Sequence, residues 1–510
     1  MGGIPWTSRG CNTCRKRKVR CDLQQPQCAR CIKRGVVCGG YERARKFIHQ
    51  SADTPGLAND QKAIQWAKTN TILPTVNINS EIRSQLFSLF IDAYVPSSPN
   101  PTGQVVYRYR QTPYLVEELP QFMGGKNSAL LDKAISALAS VFVGKTHQDD
   151  RLVHHGIRLY NQAIQILSLL IQRSRVPAEE LLYATVVFQL YEIINCPSGF
   201  LGWMVHMHGA NAILSRHGGS LKESRQSTEL YRHLKLSNIY NAVGKATCAM
   251  RFCPMWHSLT PAKPEPVDEI LDILMECTGI MERLGALQSA HNQAQAGNRI
   301  LKSLLKLKQR TFSWYDRLQS ANKVLYTEAA TNNQIPYTGR RNPFPEAIHF
   351  ASLEIGEVHM YYWVALVLLH SLLSGLQMII GQPVQPASDE NSRHGKPAKL
   401  ESEQVEDPIL KAGYYAGQIC RGVGYFLRPE MNVLGGNHLL FPVAMAAQFF
   451  HGHGYSEQYQ WCQEVFLNLN SLGLGLATVL TCTPWSEYQS IEDQKLTTVM
   501  SEMEEVKLEE

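Results

Sequence analysis

The sequence carries no intact catalytic signature. It lacks the spacings G-x-S-x-G, H-E-x-x-H and G-x-G-x-x-G, and it lacks a phosphate-binding loop. Gly473 and Gly475 lie in LGLGLA, but a preceding strand pattern and a third glycine are missing. These absences argue against serine hydrolases, zinc proteases, dinucleotide enzymes and nucleotide hydrolases. We predict that the chain is not an enzyme.

Features of secreted proteins are also missing. Residues 1–10 contain no apolar stretch of signal-peptide length, and the 13 cysteines are an odd number. Both features argue against a disulfide framework. Seven cysteines are scattered beyond residue 38, where single buried thiols are ordinary core residues. We therefore expect a reducing compartment, in which thiols are available as metal ligands.

Positive charge is concentrated at one end of the chain. Residues 1–50 carry twelve Lys or Arg and two acidic residues, a net charge of +10, which leaves −4 for the rest. This asymmetry indicates that only the basic segment meets a polyanion. Residues 9–38 contain no Phe, Tyr or Trp, so the stacking side chains typical of an RNA binder are missing. A zinc-dependent protein with an RNA-binding or enzymatic role remains the alternative.

Six cysteines fall into two copies of one spacing, C-x2-C-x6-C, separated by six residues. They are Cys11, Cys14, Cys21, Cys28, Cys31 and Cys38. One tetrahedral zinc would use four thiolates and leave two, whereas two zinc ions need two of the six thiolates to bridge. The repeated spacing favours two ions, with a single-zinc knuckle as the alternative. We expect the surrounding Lys and Arg to offset the cluster's charge and to lower the thiol pKa values.

The segment resembles the fungal binuclear zinc-cluster transcription factors. The six cysteines match that family in order, as do the basic run after Cys14, Asp22 and Pro26. The resemblance implies that Cys11 and Cys28 bridge two zinc ions. It also implies the ligand sets, which are Cys11, Cys14, Cys21 and Cys28 for one ion and Cys11, Cys28, Cys31 and Cys38 for the other.

The basic run predicts an interface with double-stranded DNA. We expect residues 15–20 to form a short helix that enters the major groove, where Arg and Lys pair with guanine O6 and N7. The resemblance implies CGG-like triplets, and position in the motif selects Arg17 and Lys18 for base contact. The other expected DNA contacts are Arg15, Lys16, Arg20, Lys33, Arg34, Arg43, Arg45 and Lys46. Arg30 is expected to touch phosphate. A solvated basic face or a nuclear import signal is the alternative interpretation.

We divide the chain into four parts. They are a zinc-cluster domain at 1–46, a flexible linker at 47–79, an all-α domain at 80–490 and an acidic tail at 491–510. The apolar residues of 41–75 do not recur in a heptad repeat, which argues against a coiled coil beside the cluster. We therefore expect the zinc-cluster domain to bind DNA as a monomer, or the chain to form a homodimer through the helical domain.

The predicted fold class is mainly α, with two short helices in the cluster. Helical spacing begins at about residue 80, where Ile82, Leu86, Leu89, Phe90 and Ala93 recur. Apolar periodicity further predicts helices at 128–143, 152–172, 179–194, 267–285, 299–320, 351–380, 409–427 and 459–479, and polar composition predicts loops at 286–298, 324–346 and 385–408. The sequence GWMVHMHGANAILSRHGG resembles the fungal-specific transcription factor domain. That resemblance implies a nuclear regulator whose partners are co-regulators or the transcription machinery, and a small-molecule effector of the helical domain.

Two features of the helical domain admit other interpretations. Residues 360–380 form a segment long enough to cross a bilayer. Polar residues interrupt this segment, however, and no cluster of Lys or Arg borders either end. We therefore expect a buried core helix and no membrane partner. His206 and His208 are two positions apart on a predicted helix and point in different directions, so we expect core or capping histidines rather than a metal site.

Overall fold

A computed structural model divides the chain into two compact units, Met1–Ile72 and Leu73–Glu510, which are considered separately. It describes residues 11–24, 28–36, 38, 80–96, 116, 119, 129–173, 177–196, 199–217, 225–251, 263–322, 324–330, 342–344, 346–381 and 407–481. The predicted linker at 47–79 and the predicted acidic tail at 491–510 lie outside these residues, so the proposed domain boundaries remain predictions.

The mainly helical fold is confirmed. The first unit contains α1 (Asn12–Lys16) and α2 (Ala29–Ile32). The second begins with α3 (Ser80–Tyr94), α4 (Ala129–Thr146), α5 (Asp150–Arg173), α6 (Ala178–Asn195), α7 (Phe200–His217), α8 (Arg225–Lys245), α9 (Pro266–Gly285) and α10 (Gln293–Ala321). It continues with β1 (Tyr326–Ala330), β2 (Glu346–Phe350), α11 (Leu353–Ile380), α12 (Pro408–Phe426), α13 (Asn432–Gly452), α14 (Ser456–Ser471) and α15 (Leu476–Leu480).

Helix α11 lies at the centre of the second unit and packs against α9, α10, α12 and α13. Its start is fixed by Ser352, whose hydroxyl accepts the backbone N–H of Ile355 at 3.2 Å. Its end is fixed by Gly381, which adopts φ 70°. Because neighbouring helices surround it, α11 is apolar on all sides, as the sequence of 351–380 indicates.

Two described segments are long and apolar enough to cross a membrane, Leu353–Ile380 and Pro429–Gly452, with mean hydropathies of 1.9 and 1.3. In their most apolar stretches 67% and 83% of the residues are buried inside the helical unit. A core helix of a large helical domain has the same composition and the same burial.

Two stretches predicted as loops contain regular structure. Strands β1 and β2 form an antiparallel pair, with Tyr326 opposite Phe350 and Ala330 opposite Glu346. Four of the five β1 residues are exposed, so the strand has no alternating apolar pattern to detect. Arg421 of α12 secures the pair through ion pairs at 3.1 Å to Glu328 and 2.8 Å to Glu346. Helix α10 likewise begins at Gln293, within the predicted loop 286–298.

Helices α8 and α13 were not among the predicted helices, and the segment 459–479 is two helices rather than one. Helix α8 buries polar residues such as Arg232 and Asn238, which hide its apolar periodicity. Helix α13 is apolar on all sides and contains Pro442, a residue that usually ends a helix. Between α14 and α15 the chain turns at Gly473, with φ 95°.

Candidate zinc cluster and DNA-contacting surface

The six cysteine sulfurs of the first unit form two overlapping groups. Each group has four sulfur atoms that all lie within 4.8 Å of one another, and Cys11 and Cys28 belong to both. The groups are Cys11, Cys14, Cys21 and Cys28, and Cys11, Cys28, Cys31 and Cys38. They are the two sets that the resemblance implied. The arrangement therefore offers two four-sulfur sites that share a pair of sulfurs.

The distances between these sulfurs suit zinc. Tetrahedral zinc with Zn–S bonds of about 2.3 Å places its ligand sulfurs about 3.8 Å apart. The Sγ atoms of Cys11 and Cys28 are 3.7 Å apart, as are those of Cys14 and Cys28. A single pair at this distance is not diagnostic, since the Sγ atoms of Cys420 and Cys462 in the helical unit are 3.8 Å apart. The number of sulfurs that converge distinguishes the cluster.

The four central cysteines of the cluster are buried. Cys11 and Cys28 have no exposed surface, and Cys14 and Cys31 have 3% and 1%. Burial raises the pKa of the Cys11 thiol to about 12 and also raises the pKa values of the Cys14 and Cys28 thiols. The lowering expected from the surrounding Lys and Arg stays a prediction for the zinc-bound cluster, in which the described basic side chains are exposed. Zinc ions bound by these sulfurs would supply positive charge that favours the thiolate form.

The two halves of the cluster repeat one local structure at an interval of 17 residues. In the first half the backbone N–H of Cys14 donates to Cys11 Sγ at 3.3 Å. In the second the N–H of Cys31 donates to Cys28 Sγ, also at 3.3 Å. These bonds add partial positive charge at the two shared sulfurs, which supports their thiolate form.

The helix expected over residues 15–20 is wrong in its bounds, because α1 ends at Lys16. Lys18 adopts the left-handed conformation with φ 53°, and Val19 N–H closes the turn on the Cys14 carbonyl oxygen at 3.0 Å. This turn reverses the chain so that Cys21 can rejoin the cluster. Arg17 and Lys18 therefore lie in the turn at the end of α1.

The second half ends its helix in the same way but with a glycine. Gly35 occupies the position equivalent to Lys18 and has φ 66°, and Val36 N–H reaches the Cys31 carbonyl oxygen at 3.1 Å. For a residue with a β-carbon this conformation is less favourable than for glycine, by roughly 1 kcal/mol. Lys18 is thus held in a conformation that its counterpart adopts without strain.

Basic side chains cover the exposed surface of the cluster. Those of Lys16, Arg17, Lys18, Arg20, Lys33 and Arg34 are all exposed. The side chain of Arg15 and the whole of Arg43, Arg45 and Lys46 lie outside the described residues. The six described side chains are free of the core and can reach a polyanion from one small unit.

Arg30 has a contact that the sequence did not predict. Its Nη1 atom donates to the carbonyl oxygen of Arg20 at 2.6 Å. This bond joins the second half of the cluster to the segment that leads into Cys21. Sequence spacing gives no signal for it, since the partner is a backbone atom of the other half.

In the helical unit, His206 is a core residue. It is 9% exposed, and its Nε2 atom lies 2.6 Å from the hydroxyl of Tyr160, which also donates to Glu192 Oε1 at 2.6 Å. Burial lowers the pKa of His206 to about 4, so the ring is neutral at physiological pH. Trp203, Ala210 and Leu214 of the same signature are also buried. The signature therefore marks a packed helix.

Comparison with protein families gives two matches. The fungal Zn(2)-Cys(6) binuclear cluster domain matches residues 9–47. The fungal specific transcription factor domain matches residues 85–386, which is more than half of the chain. The first domain holds two zinc ions, so the cofactor of this chain is a pair of zinc ions.

Similar curated proteins are transcription regulators. The chain is 58% identical over 36 residues to the arginine metabolism regulation protein II of Saccharomyces cerevisiae, covering 7% of this chain and 4% of that protein. It is 28% identical over 92 residues to the pestheic acid cluster transcriptional regulator 2 of Pestalotiopsis fici, covering 17% and 21%. It is 56% identical over 32 residues to the citrinin biosynthesis transcriptional activator of Monascus ruber, covering 6% of each.

These matches span at most about a fifth of each relative. No solved structure matches the chain.

Proposed function

This chain belongs to the family of proteins with the fungal specific transcription factor domain, and on that premise we propose that it is a nuclear transcription regulator that reads CGG-like triplets in duplex DNA. The observation that carries the proposal is the pair of overlapping four-sulfur groups beneath an exposed basic surface. A regulator of this kind acts by binding, and its zinc ions are structural. The role is that of a regulator rather than an enzyme.

All six cysteines serve as zinc ligands in this proposal, with Cys11 and Cys28 as the bridging pair. Removing a bridging sulfur leaves three thiolates at each ion, whereas removing Cys38 leaves the other four-sulfur group complete. Full-length Cys38→Ser should therefore retain about one zinc ion per chain, and Cys11→Ser should retain less than that. Zinc is measured by atomic emission together with the thiol count. Equal retention by the two variants would overturn the bridging assignment.

The turn at the end of α1 supplies the base contacts in this proposal. Arg17 and Lys18 extend beyond the last turn of a helix whose start is held by the cluster. Arg and Lys pair with guanine O6 and N7 in the major groove, which favours a G-containing triplet. The side chains proposed to contact the phosphate backbone are Arg15, Lys16, Arg20, Lys33, Arg34, Arg43, Arg45 and Lys46.

The test is binding of the full chain to three labelled oligonucleotides in moderate salt. They are a duplex with a CGG triplet, a scrambled duplex of equal composition, and the single strand. We expect the CGG duplex to bind at least about tenfold more tightly than the scrambled one, since base-specific contacts contribute about 1–3 kcal/mol each. Chelation should abolish this preference, and added zinc should restore it. A preference for the single strand, or discrimination that survives chelation, would contradict the proposal.

The wider role is control of a metabolic pathway. Two of the similar proteins are named for arginine metabolism and citrinin biosynthesis, which supports this class of target. Co-regulators or the transcription machinery are the proposed protein partners, and the helical unit is the proposed dimer interface. Co-precipitation of two differently tagged copies, with and without residues 80–490, tests the dimer. Loss of self-association only when 1–46 is removed would contradict it.

A further inference from the structure

One exposed face of α10 carries a line of cations. They are Arg299, Lys302, Lys306, Arg310 and Arg317, and all five are exposed. Their successive spacings of three, four, four and seven residues keep them on one side of the helix. From residue 283 to residue 315 the sequence contains no Asp or Glu. Carboxylates that neutralise this face must therefore come from outside this stretch.

Carboxylates of α9 meet only one end of the line. The Nη1 atom of Arg310 donates to Glu276 Oε1 at 2.5 Å, and the Nη2 atom of Arg317 donates to Glu269 Oε2 at 2.5 Å. The three cations nearest the start of α10 form no ion pair with any of the described residues. One half of the line is thus neutralised and the other half keeps its charge.

The register between α9 and α10 explains this difference. The two ion pairs are seven residues apart on both helices, which run in opposite directions. One further step of seven brings Arg283 of α9 level with the turn of α10 that carries Lys302 and Lys306. Arg283 is exposed, and its Nε atom donates to the Gly279 carbonyl oxygen of its own helix at 3.2 Å. A cation therefore occupies the position at which the two preceding steps carry glutamate.

Four exposed cations result, and we call them the basic patch: Arg283, Arg299, Lys302 and Lys306. Lys302 and Lys306 are four residues apart on one helix face, where like charges destabilise a helix. A partner with carboxylates at a matching spacing would relieve this repulsion and would be attracted by the surrounding charge. The patch is therefore suited to an anionic chain rather than to a single small anion.

The chain itself contains a segment of this kind. The acidic tail, residues 491–510, has seven Asp or Glu and two Lys, a net charge of −5. Glu502, Glu505 and Glu509 follow one another by three and four residues, the same intervals that separate the first three cations of α10. In a helix these three glutamates would share one face.

Apolar residues add to the match. Leu305 precedes Lys306 in α10 and is 37% exposed. Val499, Met503 and Val506 of the acidic tail recur at the spacing of one helix face. Apolar contact beside the charges would add to the electrostatic attraction, which salt screens.

The acidic tail is long enough to reach the patch of its own chain. The described residues end at Thr481, and the stretch from there to Glu502 spans up to about 70 Å when extended. A compact domain of about 400 residues has a radius of gyration of only about 21 Å. Attachment to the same chain gives the tail a roughly millimolar effective concentration at the patch, so a few exposed ion pairs suffice to hold it.

We propose that the acidic tail docks on the basic patch of its own chain, with Glu502, Glu505 and Glu509 facing the cations of α10. The docked tail excludes other polyanions from this face of the helical unit, and a partner that binds the tail exposes the face. That this exchange regulates transcription rests on the function proposed above, whereas the docking itself does not.

Zero-length crosslinking of the zinc-loaded full chain tests the contact directly. A carbodiimide joins a lysine amine to a carboxylate where the two groups touch. We expect crosslinks from Lys302 or Lys306 to Glu502, Glu505 or Glu509, formed within one chain in a mixture of isotope-labelled and unlabelled copies. Crosslinks of these lysines only to other segments would overturn the proposal. Crosslinks to the tail of a second copy alone would overturn docking within the chain.

A labelled peptide of residues 491–510 measures the affinity. We expect it to bind the full chain whose own tail carries Glu502→Lys, Glu505→Lys and Glu509→Lys, and to bind less as salt is added. The wild-type chain should bind the peptide at least about tenfold more weakly, because its own tail occupies the patch. Equal affinity for the two chains would overturn the proposal.

Lys302→Glu together with Lys306→Glu, added to the chain with the reversed tail, is the decisive variant. It should bind the peptide at least about tenfold more weakly, because two attractions become repulsions. Its melting temperature should be unchanged or higher, since both side chains are exposed and form no ion pair with the described residues. Wild-type affinity in this variant would overturn the assignment of the patch.

Arg158→Glu together with Arg216→Glu is the matched control. It makes the same change of charge at two exposed positions, on α5 and α7, away from α10. Peptide affinity should stay the same. A loss equal to that of the patch variant would mean attraction by the overall charge of the chain and would overturn the proposed site.

Duplex DNA is the other polyanion that fits a basic surface, and the same samples exclude or establish it. We expect the patch variant to bind the CGG duplex and the scrambled duplex as the wild-type chain does. Weaker binding to both duplexes, with no binding of the peptide, would assign the patch to phosphate contact and overturn docking of the tail. Docking without recognition of the CGG duplex would leave the tail assignment standing and overturn the proposed function, and recognition without docking would do the reverse.

Discussion

Lys18 combines a proposed base contact with an unfavourable backbone conformation, and two substitutions separate these properties. Lys18→Ala removes the ammonium and keeps a β-carbon at φ 53°. Lys18→Gly removes the ammonium and also relieves the strain, as Gly35 does at the equivalent position. Loss of a direct base contact should weaken binding to the preferred duplex by about 1–3 kcal/mol, which is about 5- to 150-fold in Kd.

The two variants should differ in stability and agree in DNA recognition. The left-handed conformation at position 18 costs a residue with a β-carbon roughly 1 kcal/mol relative to glycine. Lys18→Gly should therefore be more stable than Lys18→Ala and should lose its zinc to a chelator more slowly. Gly35→Ala is the matched control, because a β-carbon there meets no atom of the described residues within 4 Å and adds only strain. It should weaken zinc retention and leave discrimination between cognate and scrambled duplex unchanged.

The measurement is fluorescence anisotropy with both duplexes, together with the rate of zinc loss to a chelator. The reasoning about Lys18 would be refuted if Lys18→Gly retained full discrimination. It would also be refuted if Gly35→Ala lost discrimination to the same extent, since the effect would then come from the shape of the turn and not from the ammonium group.

Further predictions concern the helical unit and the joint between the cluster halves. Burial raises the pKa of Glu192 to about 7, so the folded state binds this proton more tightly and loses stability as the pH rises from about 4.5 to 7. Glu192→Gln does not titrate, so its unfolding free energy relative to wild type should rise by about 2–3 kcal/mol as the pH goes from 4.5 to 8. A difference between variant and wild type that stays constant with pH would contradict this. Gly435→Ala places a β-carbon 2.3 Å from the backbone carbonyl oxygen of Phe426 and should destabilise the unit by about 1–3 kcal/mol in thermal unfolding. Gly209→Ala, whose β-carbon meets nothing within 4 Å in the described part of the chain, should not destabilise it. Arg30→Gln removes the bond to the Arg20 carbonyl and should speed zinc loss while the preferred triplet stays the same, and a changed triplet would assign Arg30 to base reading.

The cluster was predictable because its information is local. Cysteine spacing alone indicates paired zinc sites, and the resemblance adds the bridging pair. The path between Cys14 and Cys21 was not predictable. A left-handed turn is usually marked by Gly or Asn, and here the residue is Lys18. The bond between Arg30 and the Arg20 carbonyl depends on how the halves pack, which spacing does not encode.

The helical unit was predictable where apolar residues recur at helical spacing, as in α9 and α11. It was not predictable where tertiary contacts replace that pattern. Helix α8 buries Arg232 and Lys235 against carboxylates of α9, so its buried face is polar. Strand β1 is exposed and is secured by Arg421 from a helix about 90 residues further along the chain.

Selection of duplexes from a random pool by the zinc-loaded full chain tests the central claim most directly. The claim is that a pair of zinc ions shapes the basic cluster into a reader of duplex DNA. We predict enrichment of CGG-like triplets with zinc and no enrichment after chelation. Selected sequences without a common triplet, or the same enrichment from the metal-free chain, would contradict it.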